Sequence, residues 1–278
     1  EEQNKWEDYD KYLMKYIDST FQEKIALDFG CGPGRNIVKY NKWFKQIDGC
    51  DISKNNINNA KTNLNYHKIS LPDLYVTNGD DLGTEHENYY DFIFSSIAMQ
   101  HICVYDIRFS ILTKMYKSLK KDGRISIQMG YGKAKKNSVG YYENDFNAIG
   151  SNGSKDTRIE DPNEIKKDLE NIGFKQFEHW IRPVGPGDDH SNWIFFTASN
   201  EDLISRLSLW ACRFNFPTED WIFTRGIAFQ SLRTDAQTSQ EWLINILGAF
   251  SYINVLGEIT DRNHREIIIF KVLHVLGE

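Results

Sequence analysis

The chain has 278 residues, 40% of them hydrophobic and 26% charged, an ordinary globular composition with room for one large domain and a smaller appendage. Its net charge of −6 does not favour a nucleic-acid partner, because Lys133, Lys135 and Lys136 form only a small cluster of a kind that is usually solvated. The sequence contains no run of 18 apolar residues, so we predict no membrane span. Its four cysteines have no regular spacing, which argues against disulfides and against a zinc site. We therefore expect a cytoplasmic protein.

Short β-rich runs alternate with helical stretches between about residues 24 and 200, which predicts an α/β fold with a parallel sheet covered by helices. In chain order, the predicted strands are 24–29, 46–51, 74–76, 91–95, 124–129, 174–181 and 193–198. The predicted helices are 36–44, 53–66, 105–121 and 162–171. A lysine-rich turn and a glycine, residues 120–123, mark the predicted end of the third helix.

An insertion of roughly residues 130–161 follows the fifth predicted strand and is rich in Gly, Asn, Ser, Tyr and Lys. Its composition predicts a long loop, which is either a lid or binding loop or a surface segment without such a role. We place the first domain at residues 1–200 and interpret residues 201–278 as a small α+β accessory region. That region is expected to form a homodimer interface, shape the substrate site or bind a partner.

A glycine-rich turn connects the first predicted strand to the first helix. Gly30, Gly32 and Gly34 alternate there, which lets the backbone turn tightly and approach a ligand beside the free N–H groups of a helix N-terminus. The dinucleotide fingerprint G-x-G-x-x-G would have its third glycine at position 35, where Arg35 stands. No Gly-Lys-Ser/Thr sequence follows, which excludes a P-loop. The turn therefore indicates a nucleotide-like ligand other than a dinucleotide.

Acidic residues follow the next two predicted strands. Asp51 ends the second strand, where a carboxylate can accept hydrogen bonds from both ribose hydroxyls of an adenosine. Asp80 and Asp81 follow the third strand, where a carboxylate can accept the adenine amino group. A lone acid is usually a helix cap or part of a solvated turn. Because these acids occur in order at the carboxyl ends of successive strands, they indicate an adenosyl ligand.

Together these motifs resemble the class I S-adenosylmethionine-dependent methyltransferases, in particular those that act on small molecules. The resemblance covers about residues 6–200. It rests on five motifs. They are the glycine motif at residues 27–34, the ribose acid Asp51, the adenine-binding step at 80–82, the motif of the fourth strand at 91–102 and the turn into the fifth strand at 119–124. It implies a seven-stranded sheet with a final antiparallel hairpin. It also implies S-adenosylmethionine as cofactor and S-adenosylhomocysteine as its product.

The resemblance further implies which positions contact the cofactor. Asp28 is expected near the methionine amino group, and Arg35 either pairs with the methionine carboxylate or is an exposed helix arginine. The full set of expected cofactor residues is Asp28, Gly30, Cys31, Gly32, Gly34, Arg35, Asp51, Ile52, Asp80, Asp81, Leu82, Ser96 and Gln100. We expect no metal ligand.

Two histidines are the candidate catalytic bases, because a histidine can take a hydroxyl proton near neutral pH. His101 follows the fourth strand on the ligand edge of the sheet, and His190 lies in the loop between the last two strands, which returns to that edge if the pair is antiparallel. Asp188 and Asp189 are weaker candidates. The alternatives are that His101 only packs beside the cofactor and that His190 is solvated in its loop.

Aromatic residues outside the motifs supply two further hypotheses. Trp6, Tyr9, Tyr12 and Tyr16 share one helical face, which is either core or a cover over the cofactor. A second group, in the insertion, is expected to contact the methyl acceptor; its members are Tyr131, Tyr141 and Tyr142.

The absence of an Asn/Asp-Pro-Pro-Tyr/Phe signature after the fourth strand argues against methylation of a base amino group, and no acidic metal cluster of the catechol type is visible. The leading hypothesis for the acceptor is a hydroxyl of a small molecule, a sugar or a glycan. A small-molecule amine is the second. The third is a cofactor-binding module that does not catalyse.

Overall fold

A mostly parallel sheet forms the centre of this computed structural model, which describes residues 6–133, 138–147, 155–184 and 190–200. The described strands are β1 Ile25–Phe29, β2 Gln46–Asp51, β3 Leu74–Val76, β4 Tyr90–Ser95, β5 Leu119–Tyr131, β6 Ser138–Val139, β7 Asp156–Ile159, β8 Lys175–Pro183 and β9 Asn192–Ser199. The α-helices are α1 Arg35–Tyr40, α2 Lys54–Tyr66, α3 Tyr105–Ser118 and α4 Pro162–Ile172. Shorter elements are a π-helical turn, Tyr9–Leu13, and the 3-10 turns Ser19–Glu23 and Met99–His101.

The order of the main sheet is β3-β2-β1-β4-β5-β9-β8. Strands β1 to β5 run parallel, whereas β9 is antiparallel to both β5 and β8. These seven strands confirm the predicted sheet with its final antiparallel hairpin. The carboxyl ends of β1 to β5 therefore meet at one edge, and the start of β9 reaches the same edge because Asn192 pairs with Tyr131.

Helices cover both faces of the sheet, and a hydrophobic cluster lies on each. Ile125, Ile127 and Met129 of β5 pack in the cluster under α3 and α4. On the other face, Phe94 and Phe195 pack with the π-helical turn, α1 and α2. Because side chains alternate along a strand, the even-numbered residues of β5 face this second cluster.

Two of the predicted helix ends were wrong. Helix α3 ends at Ser118 and not at Lys121, because Leu119 already pairs with Tyr90 of β4. Lys120 then forms an ion pair with Asp91 at 2.8 Å. The first helix stops at Tyr40, four residues before its predicted end. By contrast, α4 starts at Pro162, as predicted, behind a capping box of Asp161 and Glu164, and it is followed by Gly173.

The insertion was predicted as one long loop, and the structure corrects this. It contributes β6 and β7, which pair in parallel with each other, and β7 also pairs with the end of β5 through Gly130 and Tyr131. Residues 134–137 and 148–154 of the insertion lie outside the described part of the chain.

The aromatic N-terminal face is part of the core, which was one of its two interpretations. Tyr9 is fully buried, and Tyr12 stacks on Phe195 with 5.1 Å between ring centroids. The Tyr16 hydroxyl donates to Glu178 Oε1 at 2.5 Å, which ties the segment to β8.

No helix in the described ranges is long and apolar enough to cross a membrane. Several predictions concern residues that the structure does not describe. These are the accessory region 201–278, Lys135 and Lys136 of the basic cluster, and the candidate bases Asp188 and Asp189.

Candidate active site

The glycine turn has the conformation that its sequence predicts. Gly30, Gly32 and Gly34 have φ values of 73°, 53° and 78°, in the left-handed region that favours glycine. A Cβ at Gly30 would lie 2.2 Å from that of Ala98, so no larger residue fits there. A Cβ at Gly32 would have no heavy atom within 4 Å, so this part of the turn borders open space. A ligand could therefore approach the backbone at Gly32.

Asp28 lies buried just before this turn. Its Oδ1 accepts a 3.4 Å hydrogen bond from Asn36 Nδ2, which also donates to Ser96 Oγ at 3.0 Å, whereas Oδ2 has no hydrogen-bond partner among the described residues. Burial raises the pKa of Asp28 to about 7, although the Asn36 hydrogen bond lowers it; the nearby Asp51 carboxylate raises it further. A buried carboxylate oxygen without a partner could accept a hydrogen bond from a cationic ligand group.

Asp51 fixes the shape of the turn. Its Oδ2 accepts the Gly32 N–H at 2.9 Å, and its Oδ1 accepts the Ser53 N–H at 2.8 Å and Asn56 Nδ2 at 3.2 Å. A carboxylate has about four acceptor positions, so Asp51 retains limited capacity for a ligand hydroxyl. Its predicted contact with ribose stays a prediction.

The two aspartates in the loop after β3 have different contacts. Asp81 shapes the loop, because its Oδ1 accepts the N–H groups of Asn78 at 3.1 Å and Gly83 at 2.9 Å. Asp80 is exposed, and its carboxylate has no hydrogen bond within the described ranges. The side chain of Leu82 is fully buried in the core, so only its backbone could contact a cofactor. Of the two acids, Asp80 is the one available to a ligand.

The remaining predicted cofactor residues differ in exposure. Ile52 is 68% exposed beside Gly79 and offers an apolar surface at the ends of β2 and β3. The Cys31 side chain is buried, so only its backbone lines the turn. Arg35 is exposed on α1 and forms no ion pair with a described residue, so both of its interpretations stay predictions.

The chain leaves β4 through a strained turn. Ile97 has a φ of 66°, an unfavourable conformation for a β-branched residue. This turn brings Ala98 against Gly30 and leads into the 3-10 turn that ends at His101. Strain of this kind is concentrated at functional sites.

Both candidate histidines converge on one carboxylate that the sequence had not singled out, Asp156. His101 Nδ1 lies 2.6 Å from Asp156 Oδ1, and His190 Nε2 lies 3.2 Å from Asp156 Oδ2. Gln100, which is also a predicted cofactor residue, donates from Nε2 to Asp156 Oδ2 at 3.3 Å. Asp156 begins β7, inside the insertion that was predicted as a loop, so no strand pattern or motif marked it.

The electrostatics of this group distinguish the two histidines. The hydrogen bond that His101 donates to Asp156 raises the pKa of His101 above its ordinary value, although burial opposes this. Burial by itself would raise the pKa of Asp156, but the hydrogen bonds from His101 and His190 outweigh it and hold that pKa well below its usual range. The His101 side chain is 51% exposed and that of His190 only 3%. Only His101 is open to an incoming molecule.

His190 is not the solvated loop residue that was its alternative interpretation. Its ring packs against the backbone of Gly130, where an added Cβ would lie 2.1 Å from the imidazole. Glycine at position 130 is therefore required for His190 to reach Asp156.

Other polar residues near this edge were missed or assigned differently. Gln128 of β5 is fully buried, and neither polar atom of its side chain has a partner in the part of the chain that the structure describes. A glutamine among the apolar residues of a central strand was the available signal. Tyr141, expected to contact the acceptor, is buried and donates to Asp168 Oδ2 at 2.8 Å. The Tyr142 hydroxyl donates to the Glu164 carbonyl at 3.3 Å.

The comparisons with known proteins agree with this geometry. Residues 27–127 match the model of a family described as a methyltransferase domain. Phosphoethanolamine N-methyltransferase 2 from Haemonchus contortus, solved with S-adenosylhomocysteine, is 18% identical at a TM-score of 0.54, over 71% of this chain and 53% of that one. Geranyl diphosphate C-methyltransferase from Streptomyces coelicolor A3(2) is 13% identical at a TM-score of 0.54, over 72% and 80% of the two chains. No curated protein matches the sequence.

At these identities the solved structures establish the fold alone, and this chain spans about half the length of the Haemonchus enzyme. The sheet order, the glycine turn and the matched domain define the class as the cofactor-dependent methyltransferases of the α/β type. Residues 27–127 are a methyltransferase domain, and the chain has the fold of the class I S-adenosylmethionine-dependent methyltransferases, the class whose cofactor is S-adenosylmethionine.

Proposed function

We propose that the chain transfers a methyl group to a hydroxyl group of a small molecule, a sugar or a glycan, with His101 as the general base. The observation that carries this proposal is the 2.6 Å contact between His101 Nδ1 and the buried Asp156, on a histidine whose side chain is half exposed. His101 directly follows β4, at the edge where the glycine turn follows β1. An acceptor bound at His101 would therefore lie at the cofactor edge of the sheet.

The described residues fit the cofactor in five respects. The unpartnered Asp28 Oδ2 suits the methionine ammonium, and the open backbone at Gly32 suits close approach of the methionine tail. Asp51 would accept a ribose hydroxyl, Asp80 the adenine amino group, and the exposed Ile52 would pack on the adenine ring. These assignments follow from the chemistry of each group at the sheet edge.

His101 would hold and move the proton. With Nδ1–H donated to Asp156, the other ring nitrogen, Nε2, is free to accept the hydroxyl proton. Asp156 would stabilise the imidazolium that results and keep the ring oriented, as the acid does in other histidine–carboxylate pairs. When bound, S-adenosylmethionine supplies a methyl group whose bond to sulfur breaks as the new bond to the acceptor forms. Gln100 and His190 would keep the Asp156 carboxylate in place through their hydrogen bonds to its other oxygen, Oδ2.

A small-molecule amine is the second candidate acceptor. It is supported by the shared fold of the Haemonchus phosphoethanolamine N-methyltransferase and by the fact that a neutral imidazole can also deprotonate an ammonium group. A homodimer through residues 201–278, a glycan acceptor and a cytoplasmic location stay predictions.

The test is to incubate the protein with S-adenosylmethionine and matched pairs of acceptors, each alcohol beside the amine of the same skeleton, and to measure S-adenosylhomocysteine release. We expect turnover of alcohols, and a loss of about 10²- to 10⁴-fold in His101→Ala, because that is the usual contribution of a general base. His67→Ala is the control, since His67 is exposed at the end of α2.

Turnover of amines alone would replace the proposal with N-methylation. Turnover that is unchanged in His101→Ala would remove the base role. Cofactor binding without consumption of any acceptor would favour a non-catalytic module.

A further inference from the structure

Arg108 of α3 is a buried cation that the proposed reaction does not use. It is 1% exposed and forms no ion pair with a carboxylate in the described ranges. Burial without a paired charge is costly, and it lowers the pKa of Arg108. The contacts of its guanidinium are all to neutral oxygens: the Ile102 and Tyr141 carbonyls and Thr157 Oγ1, the last at 2.9 Å from Nη1.

Two of these oxygens belong to residues next to the His101–Asp156 pair. Ile102 directly follows His101, and Thr157 directly follows Asp156. The Thr157 hydroxyl also donates to the Ile102 carbonyl at 3.0 Å. Arg108 Nη1, Thr157 Oγ1 and the Ile102 carbonyl therefore form a closed triangle of hydrogen bonds. This triangle connects the backbone after the histidine to the start of β7.

The third contact holds Arg108 itself in place. Its Nη2 donates to the Tyr141 carbonyl, and its guanidinium lies 5.2 Å from the centre of the Tyr141 ring. The Tyr141 hydroxyl is in turn fixed by Asp168 of α4 at 2.8 Å. The guanidinium is thus held by the insertion and by the segment after β4, and Tyr141 is itself anchored to α4.

We propose that Arg108 and Thr157 are positioning residues that hold His101 and Asp156 at hydrogen-bonding distance. Two residues from separate elements, the turn after β4 and the start of β7, must meet to within a few tenths of an ångström for a short hydrogen bond. No strand ladder joins these two elements in the described ranges, since β7 pairs with β5 and β6. Besides the contacts of Gln100 with Asp156 and of Cys103 with the Lys155 carbonyl, the hydrogen-bonded triangle connects these two elements, and it is the connection that includes a backbone carbonyl next to His101.

The decisive variant is Thr157→Val, which keeps the shape of the side chain and removes the hydroxyl. The readout is the pKa of His101 in the full-length protein, followed by NMR of its imidazole signals against pH, which needs neither cofactor nor acceptor. Asp156 is the charged group whose contact raises this pKa, with His190 on the far oxygen of the carboxylate. We expect the pKa of His101 to fall toward its ordinary value, because a loosened pair loses that hydrogen bond.

Thr197→Val is the matched control. Thr197 is also buried, its hydroxyl also donates to a backbone carbonyl, that of Ile125 at 2.7 Å, and it also accepts from an arginine, Arg124 Nη1 at 3.2 Å. It lies on β9 and contacts neither His101 nor Asp156. We expect Thr197→Val to cost similar stability and to leave the pKa of His101 unchanged.

Arg108→Met and Arg108→Lys provide a second test. Arg108→Met should lower the pKa of His101 as Thr157→Val does, and Arg108→Lys should restore part of the effect, because lysine can still donate to one of the oxygens. If Arg108→Met does not fold, Thr157→Val still decides the question. Equal pKa values of His101 in Thr157→Val, Thr197→Val and the unaltered protein would overturn the proposal.

The positioning proposal rests on the proposed function, because both involve the His101–Asp156 pair. The experiments can nevertheless contradict either one without the other. A shifted pKa in Thr157→Val together with full turnover in His101→Ala would support the positioning role and reject the base role. Once an acceptor is known, we expect Thr157→Val to lower kcat about 10-fold with little change in KM, because misplacement acts on the reacting geometry.

Discussion

Asp28 shows how one buried side chain couples the cofactor site to pH. Its Oδ2 has no partner among the described residues, and burial raises its pKa to about 7. The carboxyl is therefore half protonated near neutral pH in the protein without cofactor. A cationic ammonium placed beside it would favour the ionised form and lower this pKa.

This arrangement predicts that the affinity for S-adenosylmethionine falls as the pH is lowered through about 7. Below that pH the protein must release a proton from Asp28 to bind the cation, which costs free energy, whereas above it the carboxylate is already ionised. Isothermal titration calorimetry between about pH 5.5 and 8.5 measures the effect.

Asp28→Asn is the control for this prediction. It should bind weakly at every pH and lose the dependence near pH 7, because an amide has no proton to release. The same pH dependence in Asp28→Asn and in the unaltered protein would assign it to another group.

At the scale of elements, β5 and the loop before β9 depend on one close contact. The His190 ring occupies the space that a Cβ of Gly130 would need, and the Nε2 of that ring donates to Asp156 Oδ2 at 3.2 Å. Gly130 has an ordinary backbone conformation, since it is not among the glycines with positive φ. Its requirement for glycine is therefore steric and not conformational.

Gly130→Ala should destabilise the protein by about 1 to 3 kcal/mol, the usual cost of inserting a methyl group into a filled site. In this variant the pKa of Asp156 should be higher than in the unaltered protein, because His190 must move away from the carboxylate and its hydrogen bond is weakened. Urea unfolding measures the first effect. Ser126→Ala, on the same strand and facing the same side, is the control, and an equal loss of stability in both variants would contradict the steric explanation.

At the scale of the whole molecule, the site is assembled from segments that are distant in sequence. The cofactor residues follow β1, β2 and β3, whereas His101, Asp156 and His190 come from three further segments at the same sheet edge. A ligand that contacts several of these segments stabilises the folded state as a whole, because it binds the native protein and not the unfolded chain.

S-adenosylmethionine and S-adenosylhomocysteine should each raise the Tm, with a gain of about 2.7 kcal/mol at a concentration 100 times Kd. NAD should not, because Arg35 stands where a dinucleotide site has its third glycine. Differential scanning fluorimetry with the three ligands measures this. Stabilisation by NAD alone would contradict the cofactor assignment.

The sequence by itself determined the elements and the cofactor edge. Strand and helix periodicity predicted the alternation of strands and helices, and the helices that begin at Lys54 and Pro162 start within one residue of their predicted positions. Gly30, Gly32 and Gly34 could be read directly, because a positive φ at a strand-to-helix turn is a local requirement. Such features depend on residues that are close in the chain, so they can be predicted from the sequence.

Only the tertiary structure decided what depends on long-range contacts. Helix α3 ends early because Leu119 pairs with Tyr90, which outweighs the stop signal a few residues later. Asp156 became recognisable only when folding brought it to His101 and His190, 55 and 34 residues away in sequence. Aspartates are common and mostly solvated, so the importance of this one comes from burial and partners that no local pattern encodes.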